Sequence, residues 1–254
     1  MHRTDPSADH PAAVSNRGIQ LSHFSERIVS RRAGSYAERD AIFKLRYQSY
    51  LRAKLIPPNA FGRYLEPSDH AEGSCLIGLH ADHILVAALR LQIGGAAAAD
   101  FARPELFPDV LRPLLRSNKT LVHMSCVATN AELACSYVWL PYFILRCWIV
   151  AAEHFGADYI AAAVRPQHQL FYRRVLGCDL HAQSRARPHQ LAPVGVVTLD
   201  FAASAGRATW TAKTGDFDTS ERLQLLGPKT SVGGAFRHGR PWKSTQIIAS
   251  LPDL

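Results

Sequence analysis

Apolar positions recur with two different periods along this chain, and the alternation between them predicts the elements. A short strand-like run spans Glu26 to Ala33, and from Ser35 the residues Ala41, Ile42, Leu45, Tyr47, Tyr50 and Leu51 fall near helical spacing, ending before Pro57-Pro58. Residues 59–73 have no period and read as a loop. Cys75 to Leu79 and Ile84 to Ile93 are apolar runs that bracket Ala81-Asp82-His83, the pattern of a hairpin. Gly94 to Asp100 is a small-residue loop, and Phe107 to Arg116 predicts a short helix around Pro108. Then follow a strand over Thr120 to Ala128, a long helix over Ser136 to Phe155, a strand over Asp158 to Val164 and a helix over Pro166 to Leu176. Val194 to Phe201 is the last strand expected. Proline opens the second of these helices at a favoured first-turn position, and Gly156 and Gly177 stand where helices end on a left-handed residue.

Strands first, then strand-helix-strand-helix-strand, predict an α/β protein with one mixed sheet and helices on both faces. Residues 1–23, rich in Pro, Ser, Asp, His and Arg, read as a mobile tail, 24–202 as the domain, and 203–254 as a C-terminal extension. No internal repeat is visible.

Composition narrows the class modestly. With 254 residues, 47% apolar and 20% charged, the chain is an ordinary globular protein with a sizeable core. Lys and Arg outnumber Asp and Glu by 29 to 21, and the resulting +8 favours an acidic partner without naming it. The five cysteines form no C-x-x-C pair and read as reduced, mostly buried thiols; with no signal-like apolar block near the start, a cytoplasmic location is expected. Tyr137 to Ala152 approaches membrane-helix hydrophobicity, but it is short and would hold Arg146 near mid-bilayer at a cost of roughly 2.5 to 3.5 kcal/mol. A buried core helix is expected instead, and no integral membrane span. There is no Gly-x-Ser-x-Gly elbow, no phosphate loop and no nucleic-acid-binding motif, and His80 and His83 read as turn residues rather than metal ligands.

Candidate chemistry concentrates between Thr120 and Gly177. His123 and Ser125 alternate with Val122 and Met124 and so share one strand face, where an imidazole is suited to take an amine proton near neutrality. The last helix ends Phe171-Tyr172-Arg173-Arg174-Val175-Leu176-Gly177, which resembles the acyl-transfer end of GNAT-type N-acyltransferases. Further, the ordered set Ile42 to Tyr50 with Arg46, then Glu66 and Asp69, then Ala88-Leu89-Arg90-Leu91 is similar to the arginine, aromatic, acidic-loop and arginine pattern of acyl-homoserine-lactone synthases and the related N-acyl amino acid synthases. The resemblance covers roughly residues 35–185.

That resemblance implies a GNAT fold and transfer of a medium or long acyl chain from a thioester to the α-amine of an amino acid, by direct attack. Arg46, Asp69 and Arg90 carry over as acceptor-pocket or loop-ordering residues, with Arg46 or Arg90 pairing with the acceptor carboxylate. His123 would assist amine deprotonation, Ser125 would hold the acceptor or the carbonyl, and Tyr172 would protonate the leaving thiolate. Tyr50, Cys126, Val127, Ala128, Trp139 and Phe143 complete the expected substrate-binding set, the helix from Tyr137 to Trp148 walling the acyl tunnel. Where the lactone synthases read Glu-x-Ser-Arg, this chain reads His123-Met124-Ser125-Cys126, so a lactone product is not implied. The long helix also opens with Asn130 to Ser136 instead of the glycine loop that cradles coenzyme A. The implied donor is therefore the 4′-phosphopantetheine arm of acyl carrier protein rather than coenzyme A, with no permanently bound cofactor. Arg165, Arg173, Arg174, Arg185 and Arg187 would steer the acidic carrier, and association with a membrane surface would come through the product. The rival expectations are a coenzyme A-dependent acetyltransferase of a small amine and a non-catalytic acyl- or protein-binding module.

Overall fold

A computed structural model describes residues 28–71, 73–95, 107–116, 119–134, 136–186, 190–204 and 218–227. The tail over 1–23, most of the small-residue loop at 94–100, Cys135, Arg187 and most of the extension lie outside them.

The first strand, β1 (Ile28–Arg32), leads into α1 (Tyr36–Arg52). Ser35 fixes where that helix begins: its Oγ accepts from the Glu38 amide at 3.2 Å while Glu38 Oε2 accepts from the Ser35 amide at 2.8 Å. Such a reciprocal cap stabilises a helix by about 1 kcal/mol. Ile42, Phe43, Leu45, Arg46 and Tyr50 form its buried face. The predicted hairpin follows as β2 (Ser74–Ala81) and β3 (Ile84–Gly94). Asp82 and His83 both take left-handed φ, +48° and +69°, and Ala81 pairs with Ile84, the two-residue turn whose twist matches its strands. Next come α2 (Pro108–Arg116), β4 (Leu121–Thr129), the single turn α3 (Ala131–Ala134), α4 (Leu140–His154), β5 (Tyr159–Val164), α5 (Pro166–Leu176), β6 (Asp179–Arg185), β7 (Val194–Asp200) and α6 (Thr219–Leu226).

Among the described residues seven strands form one sheet in the order β1-β2-β3-β4-β5-β7-β6, antiparallel everywhere except between β4 and β5. Both faces are covered, which is why β2 and β3 read as nearly unbroken apolar runs. On one face α1 packs over Leu76, Ala88 and Ala128, while α2 packs over Leu121, Ala161, Val194 and Val196. On the other, α4 buries Phe143, Ile144, Leu145 and Trp148 against Ile77, Leu79, Leu89, Leu91, Val122 and Met124, with Tyr172 and Leu176 of α5 in the same core. Trp148 is fully buried and its indole N–H donates to the Val122 carbonyl at 3.0 Å.

Two features depart from the sequence expectations, and a third lies in the extension. The long helix begins at Leu140, not Ser136, because the chain first makes the α3 turn and Pro141 then falls in the opening turn of α4, where proline is tolerated. β6 escaped the hydrophobic pattern: it is an edge strand with β7 on one side and exposed residues such as Asp179, Leu180 and His181, so it carries no apolar run. Within the extension, α6 is capped by Asp218 and buries Leu225 and Leu226 in the main core, with Arg222 Nη2 3.2 Å from Glu153 Oε2.

Candidate active site

The parallel pairing of β4 with β5 runs only from Leu121–Tyr159 to Met124–Ala162. β4 continues through Thr129, held on its other side by β3, so from Ser125 onward its edge diverges from β5 and the sheet opens. The cause is local. Between Ala88 and Arg90 of β3 the partner residues on β4 jump from Ala128 to Ser125, and Cys126 takes φ +52°. This bulge inserts one extra residue, bends β4 and strengthens its twist. A left-handed φ on a non-glycine residue costs free energy of order 1 kcal/mol or more and recurs at ligand-binding positions.

The bulge also sets which side chains face which side. Val122 and Met124 belong to the core under α4, whereas Leu121 packs under α2, so His123 and Ser125 face the α1–α2 side. Ser125 is buried and accepts a hydrogen bond at Oγ from Arg90 Nε at 3.1 Å; His123, opposite Gln92 and Ala161, is half-buried. Val127 packs against the α4-side core together with Leu133, Tyr137 and Trp139, while Phe143 lies within it. Trp139, Tyr142 and Phe171 form a chain of ring contacts at 5.7 and 6.0 Å where α4 and α5 meet. The opening therefore has an apolar, aromatic side and a polar side.

On the polar side an ionic network joins α1, the loop before β2, β3 and β4. Arg46 Nη1 lies 2.8 Å and Arg90 Nη1 3.1 Å from Asp69 Oδ1, and Arg90 Nη2 lies 2.8 Å from Glu66 Oε2. Asp69 Oδ2 accepts from the Glu66 amide at 2.7 Å, which pins the turn between them. Cys126 Sγ donates to Glu66 Oε2 at 3.4 Å, Tyr64 OH donates to Glu66 Oε1 at 2.8 Å, and Gln190 Nε2 donates to Tyr64 OH at 3.2 Å. Tyr50 OH donates to the Val127 carbonyl at 3.3 Å and its ring meets Tyr64 edge-on at 5.1 Å. Burial alone would push the Asp69 carboxyl up, but Arg46 and Arg90 outweigh it and hold it below the ordinary range. Burial likewise opposes the Arg46 charge, and Asp69 more than restores it. Arg46 and Asp69 are 0% exposed, so both order the loop from within, and Arg46 retains two donors, Nε and Nη2, without protein partners.

Tyr172 lies on the opposite, α4 side, its ring 6.2 Å from Trp148, and burial raises its phenol well above the usual value. The candidate proton donor and the candidates on the amine side thus sit on different faces of the sheet and can serve one substrate only through the opening between β4 and β5. Arg173 and Arg174 are exposed in the last turn of α5 and Arg165 is its half-buried N-cap, 2.9 Å from His168. Arg185 instead makes a two-pronged pair with Asp109 at 2.7 Å for each bond and stacks 5.0 Å over Phe107, tying β6 to α2. Sequence reasoning left Tyr64 and Gln190 out altogether and kept Glu66 only as part of a pattern. Nothing in their spacing signals contact with one another, since Gln190 is separated from Tyr64 by 126 positions.

Among the described residues no cluster of metal-ligating side chains occurs, and no helix is long and apolar enough to cross a membrane.

A mixed sheet that parts between its fourth and fifth strands, with an apolar layer on one side and polar groups on the other, is the architecture of the GNAT fold. Residues 41–200 match the family described as N-acyl amino acid synthase FeeM, and the chain belongs to that family. Among solved structures it is similar to FeeM, an N-acyl amino acid synthase from uncultured soil microbes, at 18% identity and a TM-score of 0.57, over 74% of this chain and 95% of that one. It is similar also to BjaI, a CoA-dependent acyl-homoserine lactone synthase solved with MTA (12% identity, TM-score 0.51, 74% and 89% covered), and to the AHL synthase LasI (11%, 0.50, 74% and 94%). At these identities the likeness is one of fold. No curated protein matches the chain by sequence.

Proposed function

We propose that this acyltransferase moves a medium or long acyl chain from acyl carrier protein to the α-amine of an amino acid, giving an N-acyl amino acid. The observation that carries the reading is the end of β4–β5 pairing at Met124–Ala162, which frees the β4 edge to align an extended pantetheine arm. The apolar groups on the α4 side, Val127, Trp139 and Phe143, suit an acyl chain. A carrier-borne donor is favoured over coenzyme A by the start of α4. Helix N-terminal amides hold phosphates, and here Pro141 removes one of those donors while Trp139 supplies no side-chain cap. The exposed Arg173 and Arg174 offer positive charge to an acidic carrier.

In the proposed reaction the acceptor enters as an ammonium ion on the His123 side and gives one proton to that imidazole, directly or through water. The freed nitrogen lone pair forms the C–N bond as the C–S bond breaks. Tyr172 protonates the departing thiolate, the amide nitrogen sheds its remaining extra proton, and one proton is released overall. Ser125, oriented by Arg90, holds the acceptor or the carbonyl. The test is to incubate the purified protein with acyl carrier protein charged with acyl chains of graded length, or with the matching acyl-CoA esters, and each of the twenty amino acids, and to measure products by mass spectrometry. Amides formed from the carrier and poorly from acyl-CoA are expected. Amides from acyl-CoA alone would overturn the donor assignment, and products only with amines lacking a carboxylate would overturn the acceptor.

A further inference from the structure

We infer that Gln190 is a positioning residue for the acceptor side of the site: it anchors the connection between β6 and β7 across the opening and, through Tyr64, steadies the Glu66 carboxylate. The inference rests on the acyl-transfer reading and concerns the amine side of that site.

The first ground is the path of the chain. β4 and β5 run parallel and part at their C-terminal ends, beyond Met124 and Ala162. β7 is antiparallel to β5 and starts at that same end, with Gly195 opposite Val164. The residues leading into β7 therefore arrive at the open end of the sheet, and they reach beyond β7 to the other arm. Ala192 packs against the α1-side core, which includes Leu55, Tyr64, Ala88 of β3 and Ala128 of β4, and the Leu191 N–H donates to the Leu55 carbonyl at 2.7 Å. Because β5 lies between β7 and β4, this stretch crosses the gap on the polar face. Two strand spacings amount to about 10 Å. Three residues, from Val194 back to Leu191, reach about 10 to 11 Å when extended, enough for the crossing and little more.

The second ground is what the far end of the crossing holds. Gln190 is half-buried; its Nε2 donates to Tyr64 OH at 3.2 Å, and Tyr64 OH donates to Glu66 Oε1 at 2.8 Å. A phenol has one proton and an ionised carboxylate only accepts, so that proton goes to Glu66 and the phenol oxygen accepts from Gln190. The amide thereby fixes the direction of the O–H, and the O–H orients the carboxylate. Glu66 Oε2 in turn meets Arg90 Nη2 at 2.8 Å, and Arg90 Nε donates to Ser125 Oγ at 3.1 Å. A polar chain thus runs from Gln190 to the strand that carries Ser125 and His123. Cutting it at Gln190 loosens both the crossing and the carboxylate beside Ser125, while the donor side, behind α4 and α5, keeps its contacts.

The test is a split between the two substrates. In Gln190→Ala the KM for the amino acid, measured by amide formation from charged carrier protein, rises roughly two- to tenfold, the weight of one neutral hydrogen bond, and the KM for the carrier stays the same. Tyr64→Phe raises the acceptor KM at least as much, and adding Gln190→Ala to it brings no further rise, because the link to Glu66 is already cut. Hydrogen exchange at the Leu191 amide, read by NMR on the full chain and independent of turnover, quickens by a similar factor in Gln190→Ala. An unchanged acceptor KM, an equal rise for the carrier, a Gln190→Ala effect that persists in full beside Tyr64→Phe, or an unchanged Leu191 exchange rate overturns the inference. Should Tyr64→Phe fail to fold, the substrate split and the exchange rate in Gln190→Ala decide. If the unaltered protein forms no amide, the acyl-transfer reading falls, and calorimetry with each of the twenty amino acids replaces KM: a two- to tenfold weaker Kd in Gln190→Ala upholds the role of Gln190, and no binding or an unchanged Kd ends it.

Discussion

Asp69 is the residue whose replacement tests the ionic network most directly. Its carboxylate is 0% exposed, lies 2.8 Å from Arg46 and 3.1 Å from Arg90, and accepts the Glu66 amide at 2.7 Å. Asp69→Asn keeps the shape and removes the charge. Arg46, also 0% exposed and already lacking partners for Nε and Nη2, then carries an uncompensated charge in the interior. Breaking one side of a buried pair costs about 3 to 5 kcal/mol. For a domain of this size that corresponds to a fall in Tm of roughly 6 to 20 °C. Adding Arg46→Met should restore much of the loss, because the stranded charge goes with it, and the double-mutant cycle should show strong coupling. The pH dependence has a definite sign. The folded-state pKa of Asp69 is depressed, so its contribution is fully present above the unfolded value near 4 and is lost as pH falls through the lower folded value. The difference in Tm between the unaltered protein and Asp69→Asn should therefore be constant from about pH 5 to 8 and shrink only below about pH 4. Calorimetric melts across that range check it. A loss of stability below about 1 kcal/mol at pH 7, or a Tm gap that closes between pH 8 and 5, would refute the reasoning.

Two further predictions concern the donor side. Tyr172→Phe should lower kcat by roughly a hundredfold or more with little change in acceptor KM, the usual weight of a positioned general acid. Because burial holds the phenol protonated well above neutrality, the alkaline limb of the rate profile should not be set by Tyr172 below about pH 10; single-turnover rates from pH 6 to 10 check both points. Reversing the exposed pair, Arg173→Glu with Arg174→Glu, should raise the KM for acyl carrier protein about tenfold or more at low salt, flatten its salt dependence, and leave the KM for a free pantetheine thioester unchanged. Equal effects on both donors would remove the carrier-docking role.

Local signals were sufficient wherever a structure closes on itself within a few residues. The helix start at Ser35, the hairpin turn around Asp82-His83, and the helix from Pro166 to Leu176 ending on Gly177 at φ +70° could each be read from the chain, because propensity and short-range hydrogen bonds decide them. So could the alternation of apolar runs that makes a mixed sheet with covered faces, since burying an apolar surface constrains which residues may point inward. Edge strand β6 and the true start of α4 could not, for their residues carry no decisive pattern of their own and take their conformation from neighbours. The parting of β4 from β5 at Met124 depends on one extra residue in a register fixed by β3, and pairing register is a property of two strands together. In the same way Glu66 gains its chemical meaning from Arg90, Cys126 and Tyr64. A carboxylate's charge is written in the chain, but the dielectric, partners and access that determine what it binds are conferred by folding.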